Sequence, residues 1–152
     1  MNDVTEFIPG YWICSESGAF FELYGCAHKY QTIVCLRRQL PSWWTNVKHI
    51  SCDAAFIHHP VPSSNRTIRC RMSIVELFDK HLMLFKQPVL LFCKEGRNRS
   101  GIICGLIKFV LTSSEKEALF IYGHVAKDKA RNGDIVILQE LCDIAMGKQW
   151  IS

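Results

Sequence analysis

Between Pro88 and Thr112 the chain passes from a short apolar run through a polar turn into a longer apolar run, and the rest of the chain is organised around that order. Val89 to Phe92 has the length and branching of a buried strand. Cys93 ends it, the polar turn reaches Arg99, and an apolar helix is predicted from Ser100. Gly96 stands where a sharp bend needs φ freedom. Strand, tight loop and helix N-terminus together make an anion cup, because successive backbone N–H groups converge and the helix dipole adds positive potential. A thiol at the base of such a cup is expected to be acidic, since helix N-termini and nearby cations can lower a cysteine pKa from about 8.5 to roughly 3.5–7.5. Arg99 offers a planar fork that matches two phosphate oxygens and stays charged.

The spacing alone says little. With eight cysteines in 152 residues, Cys-x5-Arg is expected roughly 0.4 times by composition, and adding Gly after three residues and a hydroxyl after the arginine cuts this to about a few in a thousand. The nine residues CKEGRNRSG resemble the signature loop of the cysteine-dependent protein tyrosine phosphatase superfamily, most closely its small dual-specificity branch. The order of elements around the loop is similar to that family over most of the chain. The resemblance implies a phosphocysteine mechanism in which Cys93 is the nucleophile, Arg99 clamps the phosphate and the Ser100 hydroxyl eases departure of the thiolate. It also implies that Lys94, Glu95, Gly96, Arg97, Asn98 and Arg99 form the phosphate-binding loop.

Two positions depart from the family pattern. Phe92 stands where a histidine usually precedes the nucleophile. The loop Pro60 to Arg71, PVPSSNRTIRCR, resembles the mobile loop that carries the family's general acid, and the V-P-x-x-D pattern places that acid at Asn65. Asparagine cannot give up a proton in this role, and no Asp or Glu lies between Asp53 and Glu76 to replace it. General acid catalysis is typically worth roughly 10²- to 10⁴-fold, so poor leaving groups should suffer most, and Asn65→Asp is expected to raise the rate on phosphopeptides if Asn65 fills the acid slot. Asn98-Arg99 also resembles the loop of RNA 5′-triphosphatases in the same superfamily, whose diphosphate leaving group needs less protonation.

A chain of this length fits one domain, residues 1–152. Net charge +4 favours anionic partners without demanding nucleic acid. There is no apolar leader, and the apolar helix Ile102 to Leu111 is too short to span a bilayer, so a cytoplasmic or nuclear location with no membrane association is expected. The cysteines are scattered without a CxxC pair, which predicts reduced, largely buried thiols and no zinc site. A Cys104 or Cys70 disulfide with Cys93 is the redox alternative. No cofactor is expected.

Along the chain, residues 1–7 read as a polar arm. Ile8 to Ile13 reads as a first strand, Ala19 to Tyr30 as a helix and Thr32 to Leu36 as a buried strand. Arg37 to Asn46 reads as a loop whose Trp43 and Trp44 cap the core or wall the cleft. Lys48 to Cys52 and Phe56 to Val61 read as short strands, and Arg71 to Phe85 as an amphipathic helix with Ile74, Val75, Phe78, Leu82 and Phe85 on one face. Ser114 and Glu117 suggest a capping box for a helix to about Tyr122. Gly123 to Gly133 reads as an exposed basic segment, and Asp134 as the cap of a final helix. His58 and His59 read as packing or surface residues, with a substitute acid as the alternative.

The alternation predicts an α/β domain with a central mixed sheet of about five strands flanked by helices, and ligands bind such sheets at the carboxyl ends of strands. The expected function is a phosphatase for phosphotyrosine, and for phosphoserine or phosphothreonine, on a protein substrate. The alternatives are hydrolysis of an RNA 5′ end or another polyanionic substrate, and a phosphate-binding pseudophosphatase. Lys94, Arg97, Arg66, Arg69 and Arg71 are the cations expected to ring the mouth.

Overall fold

A computed structural model describes residues 3–50, 53–81 and 85–150. The strands are β1 (Thr5–Ile8), β2 (Tyr11–Ser15), β3 (Thr32–Cys35), β4 (Ala55–His58) and β5 (Val89–Cys93). They form one mixed sheet in the order β1-β2-β5-β3-β4, in which only the β1–β2 pair is antiparallel. The helices are α1 (Glu16–Cys26), α2 (Trp44–Ile50), α3 (Thr67–His81), α4 (Asn98–Thr112), α5 (Glu115–Ala126) and α6 (Asn132–Met146). This is the expected α/β architecture with a five-stranded sheet.

β5 lies at the centre, and all five of its residues are buried. A strand covered on both faces reads as a continuous apolar run, which is why VLLFC shows no polar alternation. Its side chains still alternate between two cores. Val89, Leu91 and Cys93 face the cluster built by α3, α4, α5 and α6, whereas Leu90 and Phe92 face Leu23 of α1 and Val47 of α2. Phe92 packs there on Trp43 and Trp44, with ring centroids 5.7 and 6.2 Å away. The two tryptophans are therefore core residues, 8% and 5% exposed.

Several expectations about elements are corrected. The N-terminal segment includes a strand: β1 pairs with β2 through a turn at Gly10, whose φ is +88° and whose N–H donates to Glu6 Oε2 at 2.9 Å. α1 starts at Glu16, because the Ser15 hydroxyl accepts the Gly18 N–H at 3.1 Å and so caps it. The strand expected at Lys48 to Cys52 is instead part of α2, nucleated by Trp44 N–H to Pro41 O at 3.1 Å; Ser51 and Cys52 lie outside the described residues. α3 begins at Thr67, four residues before the expected Arg71, since Cys70 N–H already donates to Arg66 O at 2.8 Å. Leu82 lies outside the described residues. Ser114 does cap α5, accepting Glu117 N–H at 3.2 Å, but the helix runs on to Ala126 with Val125 and Ala126 buried. Part of the segment expected to be exposed is thus core.

α4 packs closely on α5 and α6 through Gly105. A Cβ at that position would stand 2.9 Å from the Ala118 carbonyl oxygen and 2.7 Å from Leu138 Cδ2. The leucine can move but the backbone oxygen cannot, so Gly105→Ala is expected to lower stability by about 1–3 kcal/mol despite alanine's better helix propensity, as read from the denaturant midpoint. Among the described residues no helix is long and apolar enough to cross a membrane.

Candidate active site

The loop that follows β5 closes on the sulfur of Cys93. Gly96 N–H donates to Cys93 Sγ at 3.2 Å and the Ser100 hydroxyl donates to the same atom at 3.1 Å. Cys93 is 3% exposed and Ser100 is fully buried. Two donors on one sulfur, at the N-terminal end of a helix that begins at Asn98, suit a sulfur that carries negative charge. Gly96 reaches this geometry at φ +73°, and it lies against the backbone of Cys14 at the end of β2. β2 and α1 therefore form the floor of the loop: Ser15 pairs with Cys93, and Glu16 N–H donates to Lys94 O at 3.3 Å.

Burial pushes the thiols of Cys35 and Cys70 up to about 11 and those of Cys104 and Cys142 up to about 12. These four remain neutral near pH 7. All seven cysteines among the described residues are free, so neither Cys104 nor Cys70 is joined to Cys93.

Arg99 is half-buried and donates Nη1–H to the Val61 carbonyl at 2.9 Å. That bond ties the helix after the loop to the Pro60–Arg66 segment. Lys94 and Glu95 are exposed, whereas Arg97 is half-buried and lies 3.6 Å from Asp128. Asn98 does not face outward as an isolated loop residue: its Nδ2 donates to Lys129 O at 2.8 Å and to Asp134 Oδ2 at 2.7 Å. Of the cations expected at the mouth, Arg66 and Arg69 are exposed, while Arg71 is paired with Glu140 at 2.9 Å. His58 and His59 meet protein groups: His58 Nε2 lies 2.6 Å from Arg37 O, and His59 Nε2 lies 2.9 Å from Ser73 O.

The residue that sequence reasoning missed is Arg131. Its guanidinium donates Nη1–H to Asn65 Oδ1 at 2.6 Å, and Nη2 both to the Ser64 hydroxyl and, at 3.1 Å, to Asp134 Oδ1. Asp134 is 1% exposed and lies inside the first turn of α6, where it also accepts the Tyr122 hydroxyl at 2.6 Å. It is the hub of a buried network and not the expected helix cap. Burial, with Asp134 as acceptor, pushes the Tyr122 hydroxyl up to about 12, so it remains a donor. A single network thus runs from Asn98 in the signature loop, through Asp134 and Arg131, to Asn65 in the segment opposite. Nothing in the spacing of Arg131 and Asn65, separated by 66 positions, announces it.

The mixed sheet with buried β5 at its centre, the loop closing on Cys93 and the buried helix α4 make up a fold that solved phosphatase structures share. Solved structures place this chain in the same fold. The core catalytic domain of the PP-IP phosphatase SIW14 from S. cerevisiae, in complex with citrate, superposes with a TM-score of 0.72 at 19% identity, over 98% of this chain and 94% of that one. Human DUSP28 gives 0.68 at 16% identity over 95% and 97% of the two chains, and PTPMT1 gives 0.63 at 13% over 95% and 96%. No family model and no curated protein sequence matches the chain.

Proposed function

We propose that this protein is a single-domain cysteine-dependent phosphatase that passes a phosphoryl group to Cys93 and then to water. The observation that carries this reading is the convergence of Gly96 N–H and the Ser100 hydroxyl on Cys93 Sγ, one residue after Arg99. In the first step Sγ attacks phosphorus, the bond to the leaving oxygen breaks, and that oxygen takes the electron pair. The loop amides from Lys94 to Asn98 and the Arg99 fork hold the three equatorial oxygens, where the transferring group carries its charge. In the second step a water oxygen bonds to phosphorus as the P–S bond breaks; sulfur keeps the electron pair, with the Ser100 hydroxyl donating to it, and the water's protons leave on the phosphate product.

The substrate follows from the leaving group. Asn65 lies in a segment that carries no Asp or Glu between Asp53 and Glu76, so groups that depart readily as anions are favoured. Phosphotyrosine on proteins fits better than phosphoserine or phosphothreonine. A second reading is a polyanionic phosphoanhydride, in which phosphate itself departs. It is supported by exposed Lys94, Arg66 and Arg69 and by the likeness to a PP-IP phosphatase.

Purified protein and Cys93→Ser, offered an aryl phosphate, a phosphotyrosine peptide, an inositol pyrophosphate and triphosphate-ended RNA, separate these readings by phosphate release. Turnover is expected on the aryl phosphate and the peptide and to vanish in Cys93→Ser. Preference for the pyrophosphate or the RNA, with steep salt dependence, would favour the polyanion. Turnover on none would leave a phosphate-binding module.

A further inference from the structure

The geometry points to Arg131 as a positioning residue that fixes the amide of Asn65 as a hydrogen-bond donor to the leaving oxygen, setting a preference for groups that depart unprotonated. The inference rests on the phosphatase reading and adds to it the identity of the group that meets the leaving oxygen. Arg131 carries only donors, so the Asn65 atom 2.6 Å from its Nη1 is the carbonyl oxygen. The NH₂ of Asn65 is thereby turned from Arg131, and among the described residues no protein acceptor takes it. The segment that carries Asn65 is itself held at the site, since Arg99 donates to the Val61 carbonyl four residues earlier.

Arg131 cannot swing freely to another partner. Its second nitrogen is shared between the Ser64 hydroxyl and Asp134, and its backbone N–H donates to the Tyr122 hydroxyl at 3.0 Å. Asp134 in turn is fixed by Tyr122 and by Asn98. The same anchor therefore positions one residue of the signature loop and one residue opposite it. During transfer the Sγ–P bond forms, the P–O bond breaks, and the leaving oxygen keeps the electron pair while an Asn65 N–H donates to it. No proton changes owner, and the arrangement serves an aryl oxide or a phosphate far better than an alkoxide.

This placement changes what a carboxylate at position 65 would do. Asn65→Asp sets an acid against the Arg131 guanidinium, which favours the charged form and lowers the pKa below the ordinary value of about 3.9. Such a group is ionised at pH 7 and cannot act as a general acid, contrary to the gain that the bare sequence pattern suggests.

Two measurements test the inference. In Asn65→Asp, NMR titration of the new carboxyl is expected to give a pKa lowered by one unit or more, about the size expected beside an arginine, and Arg131→Met in the same background is expected to restore it. A carboxyl that titrates at the ordinary value in both backgrounds overturns the contact whether or not the protein turns over. With a series of aryl phosphates, Arg131→Met is expected to steepen the dependence of kcat/KM on leaving-group pKa, so that the worst leaving group loses about tenfold more than the best. Arg131→Lys, which keeps one donor, falls between. A uniform loss across the series overturns the role in transfer, while Cys93-independent rates in the parent protein would overturn the phosphatase reading instead.

Discussion

Arg99→Lys is expected to lower kcat/KM on an aryl phosphate by about 10²- to 10³-fold, the loss that follows removal of a donor aimed at developing charge. Lysine keeps the charge but not the fork. Arg99 spends one N–H on the Val61 carbonyl, which fixes its plane, and in the proposed mechanism the rest of the guanidinium meets the phosphoryl oxygens. An ammonium is a strongly hydrated point charge on a flexible stem, so it can satisfy the carbonyl or the phosphate in turn but cannot hold both in one plane. Loss should appear in kcat as well as KM, because equatorial oxygens draw closer to the clamp in the transition state. Steady-state kinetics check this, and a lysine variant within a few-fold of the parent would mean that Arg99 serves only to hold Val61.

Gly96→Ala is expected to be as damaging by a different route. At φ +73° an added Cβ would stand 2.6 Å from both the carbonyl carbon and the carbonyl oxygen of Cys14. A contact of that kind cannot be relieved by turning a side chain, and Cys14 is locked in register, since β2 pairs with β5 along its whole length. The loop must therefore move, and with it the Gly96 N–H that donates to Cys93 Sγ. Left-handed backbone alone costs a non-glycine residue about 1–2 kcal/mol, and the collision adds to it. The expected outcome is a loss of about 10²-fold in kcat with a denaturant midpoint lowered by the equivalent of about 2 kcal/mol or more. Near-parental kinetics would show that the loop tolerates another path.

The contrast between these two positions and Arg131 shows what a single sequence can disclose. Val89 to Arg99 was legible because a buried strand, a glycine at a sharp bend and an apolar helix are local features, each with its own signature within about ten residues. The α/β class followed from alternation of short apolar runs with longer amphipathic ones, but the five strands include β1, in the segment read as a polar arm, and exclude Lys48 to Cys52. Local signals also misled. Lys48 to Cys52 offers no apolar stripe that separates strand from helix, and the turn beginning at Pro41 decides for α2. Asp134 has the chemistry of a helix cap, yet its carboxylate is claimed by Tyr122, Asn98 and Arg131. Phe92 does stand where the resemblance expects a histidine, and what the sequence did not disclose is that its ring belongs to the Trp43 and Trp44 cluster on the far face of the sheet. Tertiary contacts of this kind leave no periodic trace, and the bridge from Arg131 to Asn65 is the clearest instance.

In the proposed mechanism the sulfur of Cys93 takes the phosphoryl group. Rapid acid quench of the protein during turnover of an aryl phosphate, followed by proteolysis and mass spectrometry, tests it most directly. One phosphoryl group is expected on the peptide carrying Cys93, and none on the peptides carrying the other described cysteines. Phosphoryl transfer to any other residue, or release of phosphate with Cys93 unmodified throughout, would contradict it.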